Sequence, residues 1–352
     1  MKALIFGGSR FIGKRLAAVL ISAGHRVTLF NRGRTPDPFG AGVERLRGDR
    51  RSAADMSSGL SGREFDAVYD FLSYEAADAR LAVESLHGRV GRFVHISTCS
   101  VYWCTGDFPC PVAEEDFDRL GDFAERPGSI EYDYGYAKRK AEETLFAAHR
   151  EKGFPVTTIR IPIVGGEEDN SLRYASYVMR VSDGEPVILP DGGYAPFRHV
   201  YVGDVARMLA DLPGIAGAVG QAYNLASSEI LSTRMIVNEV AALLGTRVET
   251  IEIPTPLLRS LGLGTAFSPF SQQAAQIPSI GKAQRELGWA PTPHRTWLER
   301  TVRWDAEHRS SPQEPPPAYT FRALELETAE RYRALIKPAV EGAGGTSAAS
   351  PG

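Results

Sequence analysis

Lys2-Ala3-Leu4-Ile5-Phe6-Gly7-Gly8-Ser9-Arg10-Phe11-Ile12-Gly13 decides the fold. A short, mainly apolar strand runs into a glycine cluster, and over 11–23 apolar residues recur at helical spacing until Gly24 stops them. A glycine turn between a strand and a helix is where a dinucleotide site belongs. Glycines let the backbone approach a pyrophosphate, and the open N–H groups and dipole of the helix start favour its negative charge. A merely tight turn would also use glycines, but this position favours the nucleotide.

The β-turn-α-β order then repeats. Segments 26–31, 45–48, 66–72, 92–97 and 156–161 read as strands, and 77–86 and 131–150 as helices. Strands that alternate with helical crossovers build a parallel, doubly wound sheet, so the fold class is α/β of the Rossmann type. After Pro162 the pattern loosens. Helical segments at 170–183, 236–244 and 293–307 are separated by Pro- and Gly-containing stretches, and strands near 197–202 and 222–225 are expected to return to the sheet. The organisation read from this is a dinucleotide-binding domain over 1–165, a smaller, interleaved substrate lobe over 166–307, and an extension over 308–352. That extension is Pro-rich, then a helix candidate at 324–336, then a Gly/Ala/Ser tail expected to be disordered.

Composition narrows the partners. A net charge of −3 over 352 residues gives no general attraction to nucleic acid or anionic membrane. No stretch approaches the roughly 20 apolar residues that cross a bilayer, and the first strand is too short for a signal peptide, so a cytoplasmic protein is expected. Cys99, Cys104 and Cys110 are odd in number and lack a C-x-x-C pair, which points to reduced thiols and no metal site.

Gly7-Gly8-Ser9-Arg10-Phe11-Ile12-Gly13 resembles the G-G-x-G-F-I-G loop of the extended short-chain dehydrogenases/reductases, the NAD-dependent epimerase/dehydratase family. Arg10 stands where the middle glycine usually lies. That departure is shared with an atypical branch containing bacterial epimerase/dehydratase-like proteins and the chloroplast stem-loop-binding proteins, and a long cation beside the phosphates bears on cofactor choice. A carboxylate at the end of the second strand would bind the adenosine ribose hydroxyls and select NAD. Asn31 stands there instead, followed by Arg32 and Arg34, and guanidiniums can hold a 2′-phosphate. The reading is therefore NAD(P) with a lean to NADP; a plain surface arginine cluster is the alternative. By resemblance, Asp49 in Gly48-Asp49-Arg50 contacts the adenine with Arg50 beside it, Phe71 and Leu72 line the cofactor, and Pro162 lies where the family covers the nicotinamide.

Tyr134-Gly135-Tyr136-Ala137-Lys138, continued by Ala141-Glu142, is similar to the family's Y-x-x-x-K helix. Residues four apart share one helix face, so phenol and ammonium can enter the same cleft. Tyr136 to Lys140 forms a second copy, but only Tyr134 keeps the glycine and the Ala-Glu in register. Ser97-Thr98-Cys99-Ser100-Val101-Tyr102 resembles the strand-end segment that supplies the third member, which counting back from Val101-Tyr102 places at Thr98. The resemblance implies that Lys138 holds the nicotinamide ribose and lowers the phenol pKa, that Tyr134 is the acid/base, and that Thr98 orients the substrate oxygen. Ordinary strand-end hydroxyls and a packed tyrosine are the competing reading, and the joint order of motifs disfavours it. His95, between Val94 and Ile96, reads as a core histidine. No G-x-S-x-G elbow supports a hydrolase.

Further motifs extend the resemblance from Met1 to about Glu307. They are Arg160 to Gly165, Arg198 to Ala206, Tyr223-Asn224-Leu225 and Lys282 to Pro291. Arg198 is the candidate for a substrate phosphate or carboxylate, although it lies one residue too close to the rest of its motif. Family members pair through the Y-x-x-x-K helix, which implies a homodimer. Two function classes remain: an epimerase, dehydratase or reductase acting on a small molecule such as a sugar nucleotide, and an RNA- or partner-binding protein of the stem-loop-binding kind. Retention of Thr98, Tyr134 and Lys138 favours the enzyme, and the charge disfavours RNA. Within the family, 4,6-dehydratases place an acidic pair after the threonine. Cys99 and Ser100 stand there, which leaves epimerisation or carbonyl reduction in front, with Cys99 open to ionisation in a positive site. Trp103 replaces a glycine and makes the pocket more aromatic.

Overall fold

The computed structural model describes residues 1–105, 108–119, 130–271, 274–308 and 316–344. In chain order the elements begin β1 (Lys2–Phe6), α1 (Phe11–Ser22), β2 (Arg26–Asn31), β3 (Val43–Arg47), α2 (Ala53–Leu60), β4 (Phe65–Asp70), α3 (Ala76–Leu86) and β5 (Val90–Thr98). They continue with α4 (Ser100–Trp103), α5 (Asp116–Arg119), α6 (Ile130–Lys152), β6 (Val156–Ile161), β7 (Val164–Gly165), α7 (Arg173–Ser182), β8 (Val187–Pro190), β9 (Val200–Tyr201) and α8 (Val202–Asp211). The last are β10 (Ala222–Asn224), α9 (Thr233–Leu244), β11 (Thr250–Ile253), α10 (Thr255–Ser260), α11 (Gly281–Leu287), α12 (His294–His308) and α13 (Arg322–Gly344).

Seven strands form a parallel sheet in the order β10-β6-β5-β4-β1-β2-β3. The order reverses beside β1, and the C-terminal ends of strands on either side of such a reversal open a crevice for ligands. Helices cover both faces, so β1 and β6 are buried almost throughout. Leu4, Phe6, Phe30, Phe93, Leu145 and Phe154 anchor the core between the sheet and its helices.

The chain divides into two compact units. The first contains Met1–Asn170, Arg198–Ile230 and Gln276–Trp297, and it carries the whole seven-stranded sheet. The second contains Ser171–Phe197, Leu231–Ala275 and the chain from Leu298 onward. In it β8 and β11 pair in parallel, and Ile188, Ile253, Leu258, Phe267 and Ala329 pack into a core.

One expected strand does not return to the sheet. The 197–202 segment contributes only β9, whose two residues pair with β7 in a separate two-stranded ladder. Pro162 follows β6 directly and stops its ladder, so β7 sets off as a new strand and recruits β9. The 222–225 segment does return, as β10 beside β6. The expected helix at 324–336 lies within α13 and belongs to the second unit, where Glu325 is buried against Arg180. Residues 309–315 of the Pro-rich stretch and the tail at 345–352 lie outside the described residues. Among the described residues, no helix is long and apolar enough to cross a membrane.

Candidate active site

The 7–13 loop is built by close backbone approach. A β-carbon on Gly13 would lie 2.9 Å from both the Cα and the N of Gly8, so α1 packs on the turn only because this position has no side chain. Phe71 and Leu72, at the end of β4, come against the same turn: Phe71 Cβ would lie 3.7 Å from a β-carbon on Gly7. No side chain caps the start of α1 at Arg10, and its first turn holds no acidic residue. The open N–H groups and the glycine turn suit a pyrophosphate. Gly13→Ala is accordingly expected to abolish dinucleotide binding in a calorimetric titration while the protein stays folded; unchanged affinity would remove the loop from the site.

Asn31 locks the neighbouring turn. Its Nδ2 donates to Ser9 Oγ at 3.2 Å and its Oδ1 accepts from Gly33 N at 2.8 Å, leaving Arg32 and Arg34 exposed beyond it. Asp49, half-buried, accepts from Arg51 N. Arg50 points elsewhere: it is buried, paired with the Asp70 carboxylate, in contact with Ser73 Oγ, and donates to Asp78 O at 2.8 Å. Burial pushes the Asp70 carboxyl up, but the Arg50 guanidinium and the Ser73 hydroxyl together outweigh it and hold the group below its ordinary range. This pair ties the β3–α2 connection to the end of β4.

Helix α6 carries the acid/base candidates. Lys138 is 1% exposed, and its ammonium donates to Ser73 O at 2.8 Å and Ile96 O at 2.7 Å, at the ends of β4 and β5. Tyr134, one turn earlier, is 40% exposed, with its ring 6.4 Å from that of Tyr74. Gly135 explains the spacing, since a β-carbon there would meet Ser100 O at 2.3 Å. The helix can therefore lie against α4, directly after Thr98. Thr98 Oγ1 donates to Ser100 Oγ and accepts from Ser100 N, both at 3.1 Å. The overlapping copy is different: Lys140 pairs with Glu143 at 2.8 Å, partly exposed, over the ring of Tyr136.

Burial pushes the Lys138 ammonium down to about 8, against the opposing pull of Asp70 and Glu142. In the unfolded chain Lys138 keeps its proton to about pH 10.5, in the folded chain only to about 8. Between these values the unfolded state binds more protons, so folding stability rises with pH. Relative to Lys138→Met, wild-type stability in urea titrations is expected to be flat below pH 8 and to climb up to pH 10.5, by about 1.4 kcal/mol per unit of depression. A difference that stays constant across that window would contradict the burial of this charge.

The sequence model of the NAD dependent epimerase/dehydratase family matches residues 3–226, more than half of the chain. The chain belongs to that family. It is an enzyme of the NAD-dependent short-chain dehydrogenase/reductase type. The chain is 27% identical over 303 residues to the chloroplast stem-loop binding protein of 41 kDa b from Arabidopsis thaliana, covering 82% of this chain and 75% of that one. It is 28% identical over 258 residues to 2′-dehydrokanamycin reductase from Streptomyces kanamyceticus, covering 72% and 70%. Its fold is similar to UDP-glucose 4-epimerase from Thermotoga maritima, solved with UDP-glucose, at a TM-score of 0.70 and 19% identity over 88% of this chain and all of that one.

Residues from the strand-end segment, the Y-x-x-x-K helix and the motifs at Arg160 and Asn224 meet in one buried network. The Glu142 carboxylate accepts from Ser97 Oγ and from Arg160 Nη2 at 2.7 Å, and Arg160 Nη1 donates to Tyr102 Oη at 2.6 Å. Tyr102 Oη donates to Asn224 Oδ1 at 2.9 Å, and Asn224 N donates to Glu114 Oε1 at 2.7 Å. The network joins β5, α6, β6, α4 and β10 beneath the candidate site. Sequence reasoning uses Tyr102 and Glu142 only to set register, and Arg160 and Asn224 only to extend the resemblance. Their polarity at positions flanked by buried apolar residues was the available signal.

Several other expectations resolve locally. Cys99 is fully buried, and burial pushes its thiol well above the usual range, so it stays protonated at neutral pH. Trp103 is half-buried and packs beside Phe108 at 6.5 Å. Pro162 is buried directly after β6. Arg198 is half-buried, with Nη1 donating to Pro278 O at 2.8 Å and Nη2 to Ser228 O at 3.3 Å. His95 lies fully buried in register between Asp70 and Thr158, and burial holds its imidazole neutral. Among the described residues, no group of three or more His, Cys, Asp or Glu side chains could hold a metal ion.

Proposed function

We propose that this enzyme is an NAD(P)-dependent epimerase or reductase of a sugar nucleotide or related hydroxyl/carbonyl compound, with Tyr134 as acid/base, Lys138 as its electrostatic partner and Thr98 as substrate-orienting hydroxyl. The observation that carries the reading is the Lys138 ammonium, buried at the C-terminal ends of β4 and β5 one helical turn from an exposed tyrosine phenol. Gly7, Gly8, Ser9, Arg10, Phe11, Ile12 and Gly13 would hold the pyrophosphate, Phe71 and Leu72 the turn side of the cofactor, and Lys138 its nicotinamide ribose. The bound dinucleotide supplies or accepts hydride at the substrate carbon.

Lys138, charged below about pH 8, favours the phenolate of Tyr134 and so helps the phenol act as acid/base. Thr98, its oxygen held by Ser100 N, would turn its one proton from Ser100 Oγ to the substrate oxygen and fix that oxygen beside the phenol. The protonated thiol of Cys99 and the hydroxyl of Ser100 supply no second carboxylate, which supports epimerisation or reduction over 4,6-dehydration. Arg198 presents its guanidinium to a substrate phosphate or carboxylate. The names of two relatives, 2′-dehydrokanamycin reductase and 2-alkyl-3-oxoalkanoate reductase, agree with carbonyl reduction, and structural neighbours solved with UDP-glucose or named for dTDP-glucose agree with a sugar nucleotide. Asn31 and the arginines beyond it support NADP over NAD, and helix α6 is the proposed homodimer contact.

The test is a screen of sugar nucleotides and small carbonyl compounds with both reduced and oxidised cofactors, products identified by NMR. Turnover of one class with either cofactor is the expected result. Salt-dependent RNA binding without turnover would overturn it in favour of the stem-loop-binding reading.

A further inference from the structure

Strands β2 and β3 end side by side, with Asn31 and Arg47 in register. Asn31 spends its side chain on Ser9 and on Gly33 N, which fixes the turn that carries Arg32, Gly33 and Arg34. Arg47 folds back across that turn: a β-carbon on Gly33 would lie 2.9 Å from its Nη1 and 3.1 Å from its Cζ. Two residues earlier on the same strand, Arg45 is neutralised by Asp37 at 2.6 Å. Among the described residues, Arg32, Arg34 and Arg47 have no such carboxylate. The Arg47 guanidinium thus lies, without a carboxylate, across the turn that carries the exposed Arg32 and Arg34, at the strand ends where the sheet would present the adenosine ribose, and cations placed so close on the chain call for an anion.

Resting on the NADP reading above, we propose that Arg47 is a specificity-determining residue that closes a clamp on the 2′-phosphate of NADP, with Arg32 as the opposite jaw. The turn between them presents Gly33 so that Arg47 can lie across it, and a forked guanidinium matches the phosphate oxygens. The 2′-hydroxyl of NAD offers neither arginine a charge. Arg47 thereby does from β3 what a carboxylate at the end of β2 would do for NAD, with the opposite sign.

Calorimetric titration of the full chain with NADP⁺, NAD⁺, 2′,5′-ADP and 5′-AMP tests this. The wild type is expected to prefer NADP⁺ over NAD⁺ and 2′,5′-ADP over 5′-AMP. Arg47→Gln should weaken NADP⁺ and 2′,5′-ADP by about tenfold, the scale of one charge-assisted contact, and leave NAD⁺ within about twofold. Arg47→Lys, which keeps the charge but not the fork, should fall between. Because NAD⁺ titration reports folding and the rest of the site, a merely structural role would lower both cofactors together, and that result overturns the clamp. So does a wild type that prefers NAD⁺, or NADP⁺ affinity that ignores Arg47. Failure of all four ligands to bind folded wild type would instead overturn the dinucleotide reading of the 7–13 loop.

Discussion

Tyr134→Phe is expected to lower turnover by about 10²–10⁴-fold, the usual scale of a lost general acid/base, while cofactor affinity stays within about twofold of wild type. The substitution removes one hydroxyl and keeps the ring that lies beside Tyr74. Tyr134 is 40% exposed, so the change leaves no buried cavity, and the fold should be unaffected. Lys138 and its two carbonyl partners are untouched, so the proposed ribose-holding group remains in place. Steady-state rates and cofactor titration on the same preparation separate the two effects. Full activity in this variant would assign the proton transfer to another group, and Tyr136→Phe, on the exposed copy of the motif, should be silent in the same assay.

Glu142→Gln should have the largest effect on stability, about 3–5 kcal/mol in urea-induced unfolding, because it leaves the Arg160 charge buried without its counter-ion. Both side chains are essentially inaccessible, at 0% and 2% exposure. A glutamine amide in place of the carboxylate can still accept one hydrogen bond, but it turns a donor toward either Arg160 or Ser97, which already donate. The double variant Glu142→Leu with Arg160→Met removes both charges and should recover part of the loss. A single-variant effect below about 1 kcal/mol would mean that water reaches the pair.

Through β6 the strands and the helices α1, α3 and α6 are legible in the sequence because their apolar period is clear, whereas the eight-residue α2 and the four-residue α4 and α5 are not. The limits of β2 and β6 were read to the residue for that reason. Legibility failed where elements are short. β8 and β11 hold four residues each, and β8 ends in Pro190, so neither carries enough period to stand out from loop. β9 was read as part of the main sheet because its apolar residues suit any ladder; which strand a two-residue segment pairs with is decided by the chain that precedes it, here the break at Pro162. In the candidate site, the glycine loop and the Y-x-x-x-K helix were visible because their chemistry is local in sequence. The pairing of Arg50 with Asp70, twenty residues away, was not: it depends on the β3–α2 connection reaching back to the end of β4, three places along the sheet from β3. The same holds for Arg47 and Gly33, which meet through strand register alone.

The three-segment make-up of the first unit has a consequence for how the protein is born. Six of its seven sheet strands and helix α6 are complete in sequence by Asn170, yet the seventh strand, β10, comes only at 222–224, where Asn224 Nδ2 donates to Ser279 O, and Val112 N donates to Ile277 O. At ribosomal speeds of roughly 5–20 residues per second, the stretch from 170 to 297 emerges on the order of ten seconds after the motif-bearing part. During that interval the nascent chain holds the glycine loop, Tyr134 and Lys138 without β10 and without the strap around Ile277 that bonds Val112. A dinucleotide present in the cell at this stage would meet its loop before the unit is finished, and could act as a template for the remainder of its assembly.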